Sequence, residues 1–193
     1  MHAGTNGRTI AGRPRGMLLA VAVAGALSLA GHAAAQCETR PRDRGFESQT
    51  RTRVTSPWIQ EGTAGIDVGT GFSHDGSNNA WARARTGWNA VRQRVELAAG
   101  VTYTLRGFVR TSGNVRDGYF GFRDSAQRPV SETRFGALPG YSELRVSFRP
   151  AVAGTYNIFT GFWAPNQDAW IQMDDFRLDG GGCNDVILNP VDG

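Results

Sequence analysis

The stretch Trp170-Ile171-Gln172-Met173-Asp174-Asp175-Phe176-Arg177-Leu178-Asp179, near the end of a 193-residue chain, decides the fold. Ile171 and Met173 alternate with polar neighbours, and so do Phe176 and Leu178. That period of two is a strand with one buried face. Met173 and Phe176 are three apart, so the alternation slips by one residue between them. A β-bulge at Asp174-Asp175 produces such a slip and re-aims the side chains beside it. Two adjacent carboxylates on a half-buried strand need partners. They therefore mark a site as well as a bend.

Working outward, the same period recurs. Ala80, Ala82 and Ala84 share a face opposite Trp81, Arg83 and Arg85. Val91, Val95 and Leu97 oppose Arg92, Arg94 and Glu96. Tyr103, Leu105 and Val109 oppose Arg106, Phe108 and Arg110. Leu144, Val146 and Phe148 alternate with Glu143, Arg145 and Ser147, and Tyr156, Ile158 and Phe162 share a side. Turn pairs such as Asp75-Gly76, Gly113-Asn114 and Pro139-Gly140 punctuate these runs. No stretch carries a helical period with caps. About ten short strands at this spacing predict an all-β protein, an antiparallel sandwich or barrel, and the sandwich is the better fit.

The start of the chain is read as a leader. Arg8, Arg13 and Arg15 precede an apolar run from Met17 to Ala30, and Ala33-Ala34-Ala35 closes it. Charged, apolar, then small is the order of a secretory signal peptide. The run is too short and too rich in Ala and Gly for a good membrane span. The expected divisions are residues 1–35 as signal peptide, 36–183 as one β-sandwich domain and 184–193 as a tail. The expected location is secreted or periplasmic. Gln36 before Cys37 argues against a lipoprotein, which needs a small residue there.

Removing residues 1–35 takes away three arginines and no acid, leaving 18 basic against 17 acidic residues. A near-neutral domain is a poor match for nucleic acid. Cys37 and Cys183 are the two cysteines, and in a secreted chain they most simply form one disulfide, a free or intermolecular pair being the alternative. Such a bridge brings the last strand beside the first residues, which makes Glu47 the third acid near Asp174 and Asp175. Three acids together repel unless a cation joins them, and Ca²⁺ accepts six to eight oxygens from carboxylates and carbonyls. The alternative is that these aspartates pair with arginines at an exposed strand end.

"RGFES" at 44–48, "GWNAVRQRVELAAGVTYTLRGFVR" at 87–110 and "MDDFRLD" at 173–179 together resemble the secreted carbohydrate-binding modules first associated with endoglucanase C, families four, nine and twenty-two. The resemblance spans nearly the whole domain, in order. It implies a galactose-binding-like jelly roll and a structural Ca²⁺ where the first strand meets the last, on positions matching Glu47, Asp174 and Asp175. It also implies that Trp88 is a ligand-contacting aromatic.

Catalysis is not expected. His74, in "SHDGSNN", is the sole histidine after the leader and reads as surface. No nucleophile-elbow, metalloprotease or phosphate-loop motif occurs. Asp174 and Asp175 are sequence neighbours and cannot straddle a scissile bond as glycosidase carboxyls about 5–9.5 Å apart must. A sugar ring stacks its apolar face on aromatics and offers hydroxyls to forked polar groups. The expected site joins Trp88 and Trp81 to Arg83 and Arg110. Trp163 and Trp170, flanking "APNQDA" in what reads as a hairpin tip, come next. Each Trp has a competing role as core. The arginine excess points to an acidic polysaccharide, such as a uronate polymer, over cellulose. The alternative to a glycan-binding module is a structural or adhesion sandwich that binds a protein or envelope surface.

Overall fold

The computed structural model describes residues 41–180. The leader, the tail from 184, Cys37 and Cys183 lie outside the described residues. Ten strands run in the order β1 (Trp58–Glu61), β2 (Ala64–Val68), β3 (Asn78–Ala84), β4 (Trp88–Leu97), β5 (Tyr103–Thr111), β6 (Asp117–Arg123), β7 (Pro129–Phe135), β8 (Ser142–Phe148), β9 (Gly154–Trp163) and β10 (Ala169–Asp179). They form two five-stranded antiparallel sheets, β1-β4-β9-β6-β7 and β2-β3-β10-β5-β8. No helix among the described residues is long and apolar enough to cross a membrane.

The alternation decides which side chains lie between the sheets. In β5, Tyr103, Leu105, Val109 and Thr111 are buried while Thr104, Arg106, Phe108 and Arg110 are half-exposed. Ala80 and Ala82 of β3 and Ile171 and Met173 of β10 supply the same layer. Phe120 and Phe122 of β6 and Ile158 and Phe162 of β9 face them from the first sheet. Each large side chain buried here contributes about 1.5–3 kcal/mol by leaving water.

The segment before β1 plugs the sandwich. Phe46 packs on Trp58 at 4.7 Å, and Trp58 on Phe176 at 4.8 Å between ring centroids. The indole of Trp58 donates to the Asp43 carbonyl at 2.8 Å. Buried Gln93 accepts from the Arg42 amide and donates to its carbonyl. The Phe176 amide donates to the Arg44 carbonyl at 3.1 Å, so this segment does lie against the last strand.

Two sequence expectations are corrected by the topology. β3 and β4 do not share a face, because β3 joins the second sheet and β4 the first. Residues 164–168 are not a hairpin tip, because they carry the chain from β9 in the first sheet to β10 in the second. Both connections look like hairpins in sequence, since a short polar link between two alternating runs does not reveal a change of sheet.

Candidate functional site

The slip in β10 is a bulge. Asp174 pairs with Phe108 and Arg177 with Arg106, so Asp175 and Phe176 together oppose Gly107. Asp175 takes a positive φ of 51°, a conformation aspartate tolerates better than most residues. Met173 and Phe176 are thereby both fully buried. Asp174 shares the outer face with Phe108, its partner in register, yet has no exposure because the loop at His74–Asp75 closes over it. Its Oδ2 accepts from the His74 amide at 2.9 Å and the Asp75 amide at 3.3 Å, and its Oδ1 from the Asp175 amide at 2.8 Å. Burial, helped by the Asp175 charge, pushes its carboxyl up to about 7 against the pull of those amides.

Glu47 approaches the same loop from the other side. Its Oε1 accepts the amides of Ser77 and Asn78, both at 3.0 Å. Loop 74–78 is thus held by four backbone amides on two carboxylates. His74 Nδ1 lies 2.7 Å from Asp175 Oδ2, and its ring stacks on Phe108 at 3.6 Å. A polar pocket of about 340 Å³ opens there between His74, Asp175, Arg106 and Glu143. A Cβ placed on Gly45 would sit 3.5 Å from Asp174 Oδ1 and 3.6 Å from Asp175 Oδ1, so glycine leaves both oxygens an open cradle. Among the described residues no group of three or more His, Cys, Asp or Glu side chains is arranged to hold a metal.

The six expected ligand residues separate onto two opposite faces. Trp88 and Trp163 lie on the outer face of the first sheet, directly paired in register. Their rings are 5.8 Å apart, and Trp88 also meets Tyr119 at 6.0 Å. Trp163 is 53% exposed. A Cβ on Gly161 of β9 would collide with Trp88 Cζ2, so the missing side chain lets the indole lie across the neighbouring strand. The floor is an ion network around half-buried Glu61. Its Oε2 accepts from Trp88 Nε1 at 2.6 Å and Arg123 Nη1 at 3.0 Å, and its Oε1 from Arg92 Nε at 2.8 Å. Burial alone would raise the Glu61 carboxyl, but Trp88, Arg123 and Arg92 outweigh it and hold it below the usual glutamate range. Arg123 also covers Trp88 and Phe159, its Cζ 4.7 Å and 4.0 Å from the ring centroids.

Trp81, Arg83, Arg110 and Trp170 come together on the outer face of the second sheet. With Asp67, Phe72 and Gln172 they line a cleft of about 500 Å³. Here the floor is a relay of amide and carboxylate. Arg110 Nε donates to Gln172 Oε1 at 2.6 Å, and Gln172 Nε2 donates to Asp67 Oδ2 at 2.7 Å. Arg110 Nη2 reaches the Phe72 carbonyl at 3.1 Å, and its Cζ lies 4.9 Å from the Tyr141 ring centroid. Burial, with the charges of Asp174 and Asp67, drives the Tyr141 phenol well above its ordinary range against the opposing Arg110. The protonated hydroxyl donates to the Phe72 carbonyl. Arg83 is gripped by Asp168 through Nε and Nη2.

The expectation that Trp88 joins Trp81, Arg83 and Arg110 is therefore corrected: Trp88 lies on one sheet and the other three on the other. The sequence reading also misses Glu61, Tyr119 and Arg123. Tyr119 and Arg123 alternate within "DGYFGFR", a signal present in the sequence. Glu61 closes a four-residue strand and gives none.

No protein-family model matches this chain, and no curated protein matches it in sequence. Solved structures do match its fold. An arabinose-bound α-L-arabinofuranosidase covers 72% of this chain at 14% identity and a TM-score of 0.57, and the match takes in 26% of that enzyme. A family 61 carbohydrate-binding module in complex with β-1,4-galactotriose covers 72% at 19% identity and a TM-score of 0.55, and 96% of that module is matched. The family 22 xylan-binding domain from Paenibacillus barcinonensis Xyn10C covers 72% at 15% identity and a TM-score of 0.52, with 92% of that domain matched. This chain thus spans about a quarter of the arabinofuranosidase and nearly all of the two modules. What is shared at these identities is the fold, and it is the sandwich found in carbohydrate-binding modules.

Proposed function

We propose that this chain is a secreted, non-catalytic carbohydrate-binding domain that lays a polysaccharide chain across the Trp88–Trp163 face. The observation that carries this reading is Trp163, more than half exposed beside Trp88 and Tyr119 on a face the core does not need. Exposed aromatics over a polar floor suit the alternating apolar and hydroxylated surfaces of a sugar chain. Trp58 is the only tryptophan among the five that is buried, which favours a glycan binder over an adhesion sandwich with its tryptophans in the core. Glu61 shares its single charge between Arg92 and Arg123, and Asp168 neutralises Arg83. These arginines are engaged within the protein, and an uncharged glycan fits better than the acidic one read from composition. Trp163→Ala should weaken retardation of the domain in gels containing xylan or β-1,4-galactan on the order of tenfold, with its melting temperature unchanged. Undiminished retardation in that variant would sink the reading.

Ca²⁺ belongs to the same proposal. Asp174 and Asp175 would hold it beside Gly45, with backbone carbonyls completing the shell, and Glu47 would order the loop that covers it. The support is the buried Asp174 carboxyl, met by three backbone amides and by no cationic side chain among the described residues, and the open cradle at Gly45. A bound cation neutralises that charge and ties the first described residues to β10. Chelator should lower the melting temperature and excess Ca²⁺ restore it. An unchanged melting temperature in chelator, with no metal by elemental analysis, rejects the site. The Cys37–Cys183 bridge is proposed with it, supported by the contact between Arg44 and Phe176, and cleavage after Ala35 is proposed from the charged, apolar, then small order of residues 1–35. Mass spectrometry of the exported protein with and without reductant checks both.

A further inference from the structure

We propose that the cleft on the outer face of the second sheet is a second glycan site, one that takes an uncharged oligosaccharide independently of the Trp88–Trp163 face. The proposal takes its ligand class from the carbohydrate-binding reading above, but it stands on different residues. One row of strand register carries Gly65, Trp81, Gln172 and Arg110 across β2, β3, β10 and β5. A Cβ on Gly65 would overlap the Trp81 ring, so the indole lies across β2 in the space that glycine leaves. Trp170 follows one pair along the same sheet, opposite Arg83. Phe72, 51% exposed, comes in from the loop before β3. The core has no use for these three rings, because Ala80, Ala82, Ile171 and Met173 already fill the inward face of β3 and β10. A cleft of about 500 Å³ falls within the usual span of small-molecule sites, about 300–1,000 Å³.

The chemistry of the lining selects the occupant. Aromatic rings suit the C–H face of a pyranose. A hydroxyl rim both donates and accepts, and the cleft offers donors and acceptors side by side. Arg110 and Gln172 can donate, and Asp67 and Gln172 can accept. The indoles of Trp58 and Trp88 are committed to Asp43 and Glu61, whereas those of Trp81 and Trp170 make no hydrogen bond to any described residue. Both guanidinium groups are already held within the protein. Arg83 is held by Asp168, and Arg110 is fixed by Gln172 and the Phe72 carbonyl between the Phe72 and Tyr141 rings. Asp67, at the floor, would repel a carboxylate. An uncharged sugar meets this surface without disturbing the Arg83–Asp168 pair, whereas a uronate that took Arg83 would have to break it. The outer faces of two packed sheets point away from each other. One domain would thus hold two chains, or two stretches of one chain.

The five tryptophans give five indole N–H signals in a ¹⁵N-labelled sample, assignable by single substitutions. The probes are xylohexaose, β-1,4-galactotriose and cellohexaose, with trigalacturonate as the acidic comparison. At least one uncharged probe should move the Trp81 and Trp170 signals saturably, and should still do so in Trp163→Ala. Phe72→Ala, a loop substitution that leaves the core intact, should weaken that response on the order of tenfold. Static Trp81 and Trp170 signals with all three uncharged probes overturn the second site. If Trp88 and Trp163 respond in that experiment, the function proposed above stands alone. If they are static too, both fail. Movement with trigalacturonate only overturns the uncharged class. Loss of the Trp81 response in Trp163→Ala would show one site, not two.

Discussion

The two outer faces of the sandwich use the same device on different floors. On the first, Trp88 lies over Gly161, and on the second, Trp81 lies over Gly65. Each glycine sits in the strand beside its tryptophan's own. The first floor is ionic, with Glu61 serving Trp88, Arg92 and Arg123. The second is a relay from Arg110 through Gln172 to Asp67. A glycine in a strand normally weakens the sheet. Here it appears on both faces where a large ring must lie flat, so placing the aromatic platform is what these strands give up stability for. The floors differ in consequence. Glu61 cannot be lost without stranding two half-buried guanidinium groups, whereas each member of the Gln172 relay is a softer partner.

That contrast gives the largest expected effect. Glu61→Ala should destabilise the fold by about 2–3 kcal/mol in urea unfolding. This is below the 3–5 kcal/mol of a fully buried pair, because the Glu61 side chain keeps 21% of its exposure. Asp67→Ala should cost about 1 kcal/mol, the usual worth of a hydrogen-bonded partner on a half-exposed face. Equal losses would erase the distinction between an ionic and an amide floor.

Valine at either glycine tests the shared device. Gly161→Val and Gly65→Val should each cost about 1–3 kcal/mol, from overpacking against the ring and the adjoining backbone. Each should abolish binding on its own face and spare the other, read by the indole signals. A variant that silences both faces would mean the platforms are coupled through the core. One that silences neither would mean the rings do not need to lie flat.

The smallest effect is a dependence on pH. The Glu61 carboxyl is held below its ordinary range in the folded chain, so the stability it contributes is present above the unfolded value. It is lost as pH falls below about 4 and through the folded value. Glu61→Gln should flatten that part of the stability profile, measured by melting temperature between acid and neutral pH. An unaltered acid limb in Glu61→Gln would show that other carboxylates carry it.

Much of the fold is legible in the order of residues along the chain. The bulge is readable from Met173 and Phe176 alone, because two buried residues three apart on a strand require one extra residue between them. The solvent side of β5 is readable from Arg106, Phe108 and Arg110. Trp81 outside a layer of alanines follows from the same period. The same alternation picks out the candidate residues as surface groups, yet it groups them wrongly. Glu61 escapes it altogether, because nothing in "WIQE" announces that its last residue will meet Trp88, 27 positions on, and Arg123, 62 positions on.

The sequence by itself determined β3, β4, β5, β8, β9 and β10, their inward faces and the bulge at Asp174-Asp175. These are local properties, set by a period of two along the chain. Only the tertiary structure decided that β3 and β4 part company, that Trp88 joins Trp163, and that Trp81 joins Trp170. Sheet membership comes from backbone pairings between segments far apart in the chain, such as Gln172 with Trp81. Such pairings are chosen by how all ten strands close one core together, and no single segment encodes them.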